Sequence, residues 1–179
     1  MSAGYPVIRR SIVRNPTGIV RNAIGEDIPR FLVPWMLTMF SAVAVAVWEF
    51  YVRYGDQFRV TVATVVGLVF IGIGCPVVLV AVGTLRGSYS QTLVIREDHR
   101  LVRHGIYGLV RHPVYSGTIL VLMGLPLCFS SVYGTAIMLL VIPLFLNRIR
   151  IEERLLIEEF GAEYEAYKEA TKKLVPLIY

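Results

Sequence analysis

Residues 114–147 read VYSGTILVLMGLPLCFSSVYGTAIMLLVIPLFLN, thirty-four consecutive positions without a charged side chain. As one helix this run would be about 51 Å long, at ~1.5 Å per residue. The hydrocarbon layer of a bilayer is only roughly 30 Å thick. The segment must therefore tilt steeply, project far out, or fold back on itself. Ser130-Ser131-Val132-Tyr133-Gly134, at its middle, is its most turn-like sequence. The reading is a helical hairpin with spans at about 114–129 and 133–147, each short, as suits a tight hairpin that does not quite cross the bilayer.

Two more uncharged runs precede it, 31–48 and 60–85. They predict spans at about 31–50 and 60–84. Gly72, Gly74 and Pro76 inside the second predict a kink or a close helix contact. Hydrophobic residues make up 55% of the chain and charged residues 17%, against roughly 25% charged in ordinary soluble domains. The fold class that follows is all-α: a polytopic membrane helical bundle with a helical hairpin and C-terminal cytoplasmic helices. Both cysteines, Cys75 and Cys128, lie inside apolar runs, without metal-ligand spacing or a disulfide framework.

Charge placement orients the bundle. Five arginines precede the first span: Arg9, Arg10, Arg14, Arg21 and Arg30. The loop 86–113 and the tail after 147 are also rich in Arg and Lys, whereas loop 51–59 carries only Arg53 and Arg59 and the 130–132 turn carries none. Four spans put all the basic regions on one side, which the positive-inside rule makes cytoplasmic, with both termini there. Residues 1–29 read as a basic arm, either lying in the headgroup layer or solvated, and residues 30–179 as the membrane domain. The first apolar run starts too far in for a cleaved signal peptide, so no processing is expected. The tail 148–173 reads as helix, with Leu156, Phe160, Tyr164 and Tyr167 as a docking stripe and Gly161 as a break.

Three features carry chemistry. Pro113 suits the first turn of the third span, which puts Arg111 and His112 at a helix N-terminus, where free N–H groups and the positive dipole end favour an anion. The alternative is that they only mark the membrane boundary. After the fourth span stand Arg148, Glu152 and Glu153. Arg148 and Glu152 are four apart and able to pair, either in a site or as an ordinary solvated helix start. The hairpin brings both groups to one membrane face. There they match the carboxylate, ammonium, ribose diol and sulfonium of S-adenosylmethionine. No metal-binding cluster and no activated-serine motif is present in the sequence.

At these residues a family resemblance emerges. His99-Arg100-Leu101-Val102-Arg103-His104-Gly105-Ile106-Tyr107 and Arg111-His112-Pro113-Val114-Tyr115 resemble the isoprenylcysteine carboxyl methyltransferase family. So do Arg148, Glu152-Glu153-Arg154-Leu155-Leu156, Phe160-Gly161, Glu163-Tyr164, Tyr167 and Pro176. The likeness runs from about residue 85 to 179. It implies a small helical membrane enzyme that uses S-adenosylmethionine on a lipid or lipid-modified substrate, with no nucleic-acid partner. By the same resemblance, Leu101, Val102, Gly105 and Tyr107 would contact the adenosine part. His112, Pro113 and Tyr115 would hold the amino-acid end, and Glu152 or Glu153 a polar group of the cofactor. Arg111 and Arg148 would orient an anionic substrate group. With an amine or thiol acceptor, Glu153 or His112 would take the proton. Tyr89 in place of a common Trp, Lys173 in place of a common Arg, and the basic arm in place of an extra span depart from the family pattern.

The expected reaction is methyl transfer to a lipid-linked or apolar acceptor, such as the carboxylate of an isoprenylcysteine. The alternatives are a phospholipid amine methyltransferase, a sterol-reductase-like protein, for which the chain is short, and a non-catalytic membrane scaffold. All site assignments depend on the fold-back at 130–134.

Overall fold

The computed structural model describes residues 28–57, 59–85 and 101–176, and a pair of two-residue strands before them. The rest of the arginine-rich arm and residues 86–100, including Arg86, Tyr89, Arg96, His99 and Arg100, lie outside the described residues. Strand β1 (Val13–Arg14) pairs antiparallel with β2 (Val20–Arg21). Among the described residues this small ladder is the one strand pairing, apart from an isolated parallel bridge between Val110 and Lys172.

A π-helical turn, Ile28–Leu32, leads into α1, Val33–Tyr54. Helix α2 is Val62–Leu85, and a 3-10 turn spans Gly105–Gly108. Then come α3 (Pro113–Cys128), α4 (Val132–Met138), α5 (Val141–Phe160) and α6 (Ala162–Ala170). Segments Arg30–Tyr54, Val62–Leu85 and Val132–Phe160 are long and apolar enough to cross a membrane. Many of their large apolar side chains face outward, among them Leu37, Phe40, Trp48, Leu68 and Leu79. Such surfaces are stable only against lipid or another apolar partner. Thr38, Thr84 and Thr118 each return their hydroxyl to the carbonyl four residues earlier, so these three hydroxyls are satisfied within their own helices.

The chain reverses at Phe129–Ser131, the turn the sequence pointed to. Ser130 takes a positive φ of 54° there. Its hydroxyl lies 2.5 Å from Thr61 Oγ1, and the Ser131 hydroxyl caps α4 by accepting from Gly134 N at 2.8 Å. Buried Glu49 of α1 takes the Ser131 hydroxyl at 2.6 Å and the Tyr133 N–H at 3.1 Å, and pairs with Arg53 at 2.5 Å.

The returning arm is interrupted at Leu139–Leu140, between α4 and α5. Pro143 supplies no N–H to Leu139 O, and its ring crowds that carbonyl. The bond to Leu139 O is instead the tighter one from Ile142 N, at 3.1 Å.

The principal packing seam is not inside the hairpin but between α2 and α3. These helices run antiparallel and touch through two glycine pairs. A Cβ on Gly67 would lie 2.7 Å from Gly124 O, and one on Gly74 2.6 Å from Gly117 O. Backbones therefore meet directly, the close approach that small residues permit in lipid. Of the two glycines expected to mediate such a contact, Gly74 does so, while Gly72 faces open space. Helix α4 packs on α1, with Gly134 against Ala42 and Ala46. Ala42, Leu122, Met138, Val141 and Phe145 form the buried core.

Candidate active site

Helix α5 carries no charge from Val141 to Asn147, then becomes strongly charged from Arg148 onward. The span thus ends near Asn147, and Arg148, Glu152 and Glu153 stand beyond it, at the same end of the hairpin as His112. Gly161, with φ of 52°, ends α5 and turns the chain into α6. Tyr164 and Tyr167 of α6 are buried while Leu156 and Phe160 are half-buried. The predicted stripe thereby folds the tail back over the loop. Tyr167 donates its hydroxyl to Tyr107 O at 2.6 Å. Burial raises the phenols of Tyr164 and Tyr167, the latter to about 12.

The tail then runs beside the start of α3. Arg111 N donates to Lys172 O at 2.8 Å, His112 N to Lys173 O at 3.1 Å, and Ser116 Oγ to Leu174 O at 2.6 Å. The N–H groups of residues 111 and 112, just before α3, are therefore engaged. The tail's own carbonyls satisfy them, because a buried N–H without an acceptor is costly.

The side chains converge on Glu153. Arg111 Nε reaches its Oε1 at 3.1 Å, His112 Nε2 lies 3.4 Å from the same oxygen, and Lys173 Nζ lies 3.4 Å from Oε2. Arg111 also donates through Nη1 to Lys168 O at 2.9 Å and to Thr171 O. Burial alone would raise the Glu153 carboxyl, but His112, Lys173 and Arg111 outweigh it and hold the group at about 2. Glu152 is one residue earlier, with Oε2 4.0 Å from His112 Nδ1. Its Oε2 and His112 Nε2 are buried without a hydrogen-bond partner.

A second group adjoins the first. Arg148, buried to 4% exposure, donates from Nε to the Tyr115 hydroxyl at 3.0 Å. Its guanidinium carbon sits 4.2 Å from the centroid of the Phe31 ring. The Tyr115 ring lies 5.8 Å from His112 and so connects the two groups.

Other predicted positions lie around them. Pro113 is buried at the start of α3, Leu101 and Val102 are half-buried, Tyr107 is buried, and Gly105 is exposed beside Thr84. Among the described residues, no three His, Cys, Asp or Glu side chains are arranged to hold a metal ion.

Sequence reasoning named Lys173 as one of the tail's basic residues and as a departure from a family pattern, without a site role, and the structure puts its ammonium 3.4 Å from Glu153 Oε2. It assigned no role to Phe31, although the Phe31–Trp35 spacing of four was an available signal for a shared helix face.

The comparisons with known proteins fall on this same region. A sequence profile of the isoprenylcysteine carboxyl methyltransferase family matches residues 65–158. A probable protein-S-isoprenylcysteine O-methyltransferase of Oryza sativa subsp. indica is 35% identical over 116 residues, which cover 63% of this chain and 61% of that protein. The protein-S-isoprenylcysteine O-methyltransferase of Saccharomyces cerevisiae is 34% identical over 118 residues, 64% of this chain and 49% of that one. The chain thus spans about half to three fifths of the length of these relatives. The solved structure of a eukaryotic intramembrane Ras methyltransferase superposes with a TM-score of 0.70 at 24% identity, over 80% of this chain and 52% of that one. It shares the fold. The matched segment holds the glycine seam of α2 and α3, the Arg111-His112-Pro113 corner and the Arg148–Glu153 face, and with it this chain belongs to the isoprenylcysteine carboxyl methyltransferase family.

Proposed function

We propose that the chain transfers the methyl group of S-adenosylmethionine to the carboxylate of a lipid-linked acceptor of the isoprenylcysteine type, at the cytoplasmic face of the membrane. The observation that carries this reading is the pairing of two polar groups at one end of the hairpin. Buried Arg148 is held by Tyr115, one helical turn from the His112, Glu152 and Glu153 cluster.

The residues suit the cofactor. Glu152 Oε2 and His112 Nε2 are buried polar atoms without a hydrogen bond, His112 Nε2 having only its 3.4 Å contact with Glu153, and groups of this kind satisfy the ammonium and carboxylate of an amino acid. His112, Pro113 and Tyr115 would hold that end, Glu152 the ammonium or the ribose hydroxyls, and Leu101, Val102, Gly105 and Tyr107 the adenosine. Bound there, the cofactor supplies an electrophilic methyl group on a sulfonium.

The protein's task is alignment and exclusion of water. A carboxylate acceptor needs no base, only a cation to place it, and Arg148 is the candidate. Arg111 organises Glu153 and the tail instead, since its Nε and Nη1 donate within the protein. An amine acceptor would have to lose a proton. Glu153, held ionised at about 2 by its surroundings, is a poor acceptor for it, which disfavours the phospholipid amine reading with Glu153 as its base. The apolar acceptor tail enters sideways from lipid and the cofactor from the aqueous side.

The test uses the purified chain in detergent with labelled S-adenosylmethionine and N-acetyl-S-farnesylcysteine. The expected product is a methyl ester, whose label is released as methanol by alkali. Label stable to alkali on a phospholipid amine would support the alternative, and absence of cofactor binding by calorimetry would leave a scaffold.

A further inference from the structure

We infer that the first membrane helix completes the acceptor subsite: Phe31 positions Arg148, and Trp35 supplies a hydrogen-bond donor to the acceptor. The inference rests on the methyl-transfer reading and adds residues that lie outside the family match at 65–158.

Arg148 is buried and its charge needs local compensation. Besides the Tyr115 hydroxyl, the Phe31 ring lies under it, at 4.2 Å from guanidinium carbon to ring centroid. A ring face at that distance attracts a cation, more so where water is excluded. Phe31 is itself fixed. It stacks on Phe145 of α5 at 5.6 Å and lies nearly parallel to Trp35, with ring centroids 6.5 Å apart and planes 5° apart. Phe145 in turn contacts Tyr115 at 5.5 Å. The rings thus form one connected cluster on the side of the guanidinium that meets Phe31 and Tyr115, joining α1, α3 and α5. In that cluster Trp35 Nε1 is buried and has no acceptor. A buried N–H without a partner is rare in a native fold. It fits a carbonyl or carboxylate oxygen brought in by the acceptor.

The test compares Phe31→Leu, Phe31→Tyr and Trp35→Phe with the wild type, using N-acetyl-S-farnesylcysteine as acceptor and calorimetry for cofactor affinity. Phe31→Leu keeps apolar bulk and loses the ring face. Its kcat/KM for the acceptor falls roughly tenfold, mainly through KM. Phe31→Tyr keeps the ring and restores most of the activity. Trp35→Phe keeps the stack and loses the N–H, with a loss of about three- to tenfold. Cofactor affinity stays within about twofold in all three, which also reports a folded site. In an Arg148→Ala background, Phe31→Leu costs little more, because the two act as a unit. Equal losses for Leu and Tyr at position 31, full additivity with Arg148→Ala, or a cofactor affinity that falls in step would overturn the inference. A wild-type chain that binds cofactor but methylates no prenylcysteine would sink the methyl-transfer reading and this inference together. An active wild type with an unaffected Phe31→Leu would sink this one alone.

Discussion

Arg111 and Glu153 meet at 3.1 Å with side chains only 8% and 10% exposed, although they are separated by a hairpin of two helical arms. Arg111 also holds the tail carbonyls of Lys168 and Thr171. The pair therefore ties the loop before α3, helix α5 and the returning tail into one unit.

Glu153→Ala leaves Arg111 and Lys173 beside His112 without their common counter-charge. Removing one member of a buried ion pair costs about 3–5 kcal/mol. Arg111→Ala is expected to cost less, since His112 and Lys173 still face Glu153. The double variant should be less destabilised than the sum of the two singles. Denaturant unfolding in detergent measures all three.

The Glu153 carboxyl is held at about 2 in the folded protein, below its ordinary value near ~4.3. Its contribution to stability is therefore fully present above that ordinary value and is lost as pH falls toward 2. The stability difference between wild type and Glu153→Gln should shrink as pH falls below about 4.5. A difference that stayed constant between about pH 5 and pH 3 would contradict this ordering of charges.

The α2–α3 seam predicts intolerance to a single methyl group. Gly74→Ala places its Cβ 2.6 Å from Gly117 O, and Gly117→Ala places it 2.7 Å from Val78 Cγ2 and 2.8 Å from Gly74 O. Backbone cannot yield cheaply, so each should destabilise by roughly 1–3 kcal/mol. Gly72→Ala meets open space and serves as the control. Thermal unfolding in micelles separates them.

At the far end of the bundle, Glu49→Ala removes the acceptor of the Ser131 hydroxyl and the Tyr133 N–H and leaves Arg53 without its 2.5 Å partner. The expected loss is about 2–4 kcal/mol, with faster hydrogen exchange at the 130–134 turn. Glu49→Gln, which keeps an accepting oxygen, should lose less.

Much of this was legible in the sequence because a bilayer permits few solutions. Uncharged runs must become helices, and the 114–147 run was too long for one crossing, so Ser130–Gly134 had to hold the reversal. Arg111, His112, Arg148 and Glu153 could be placed at one end of the bundle from the hairpin alone. That the amides of residues 111 and 112 bind the tail's carbonyls was not legible, because nothing local shows the tail returning beside them.

The residue pattern by itself determined the helical membrane architecture, the turn and the polar residue types at the hairpin's open end. These follow from hydrophobic run length and charge placement, which are properties of the chain in order. Only tertiary structure decided that α3 packs chiefly on α2, that Lys173 returns to Glu153, and that Phe31 lies beneath Arg148. Those contacts join residues far apart in the chain through shape and charge in three dimensions, and no periodicity along the sequence encodes which distant surface a side chain will meet.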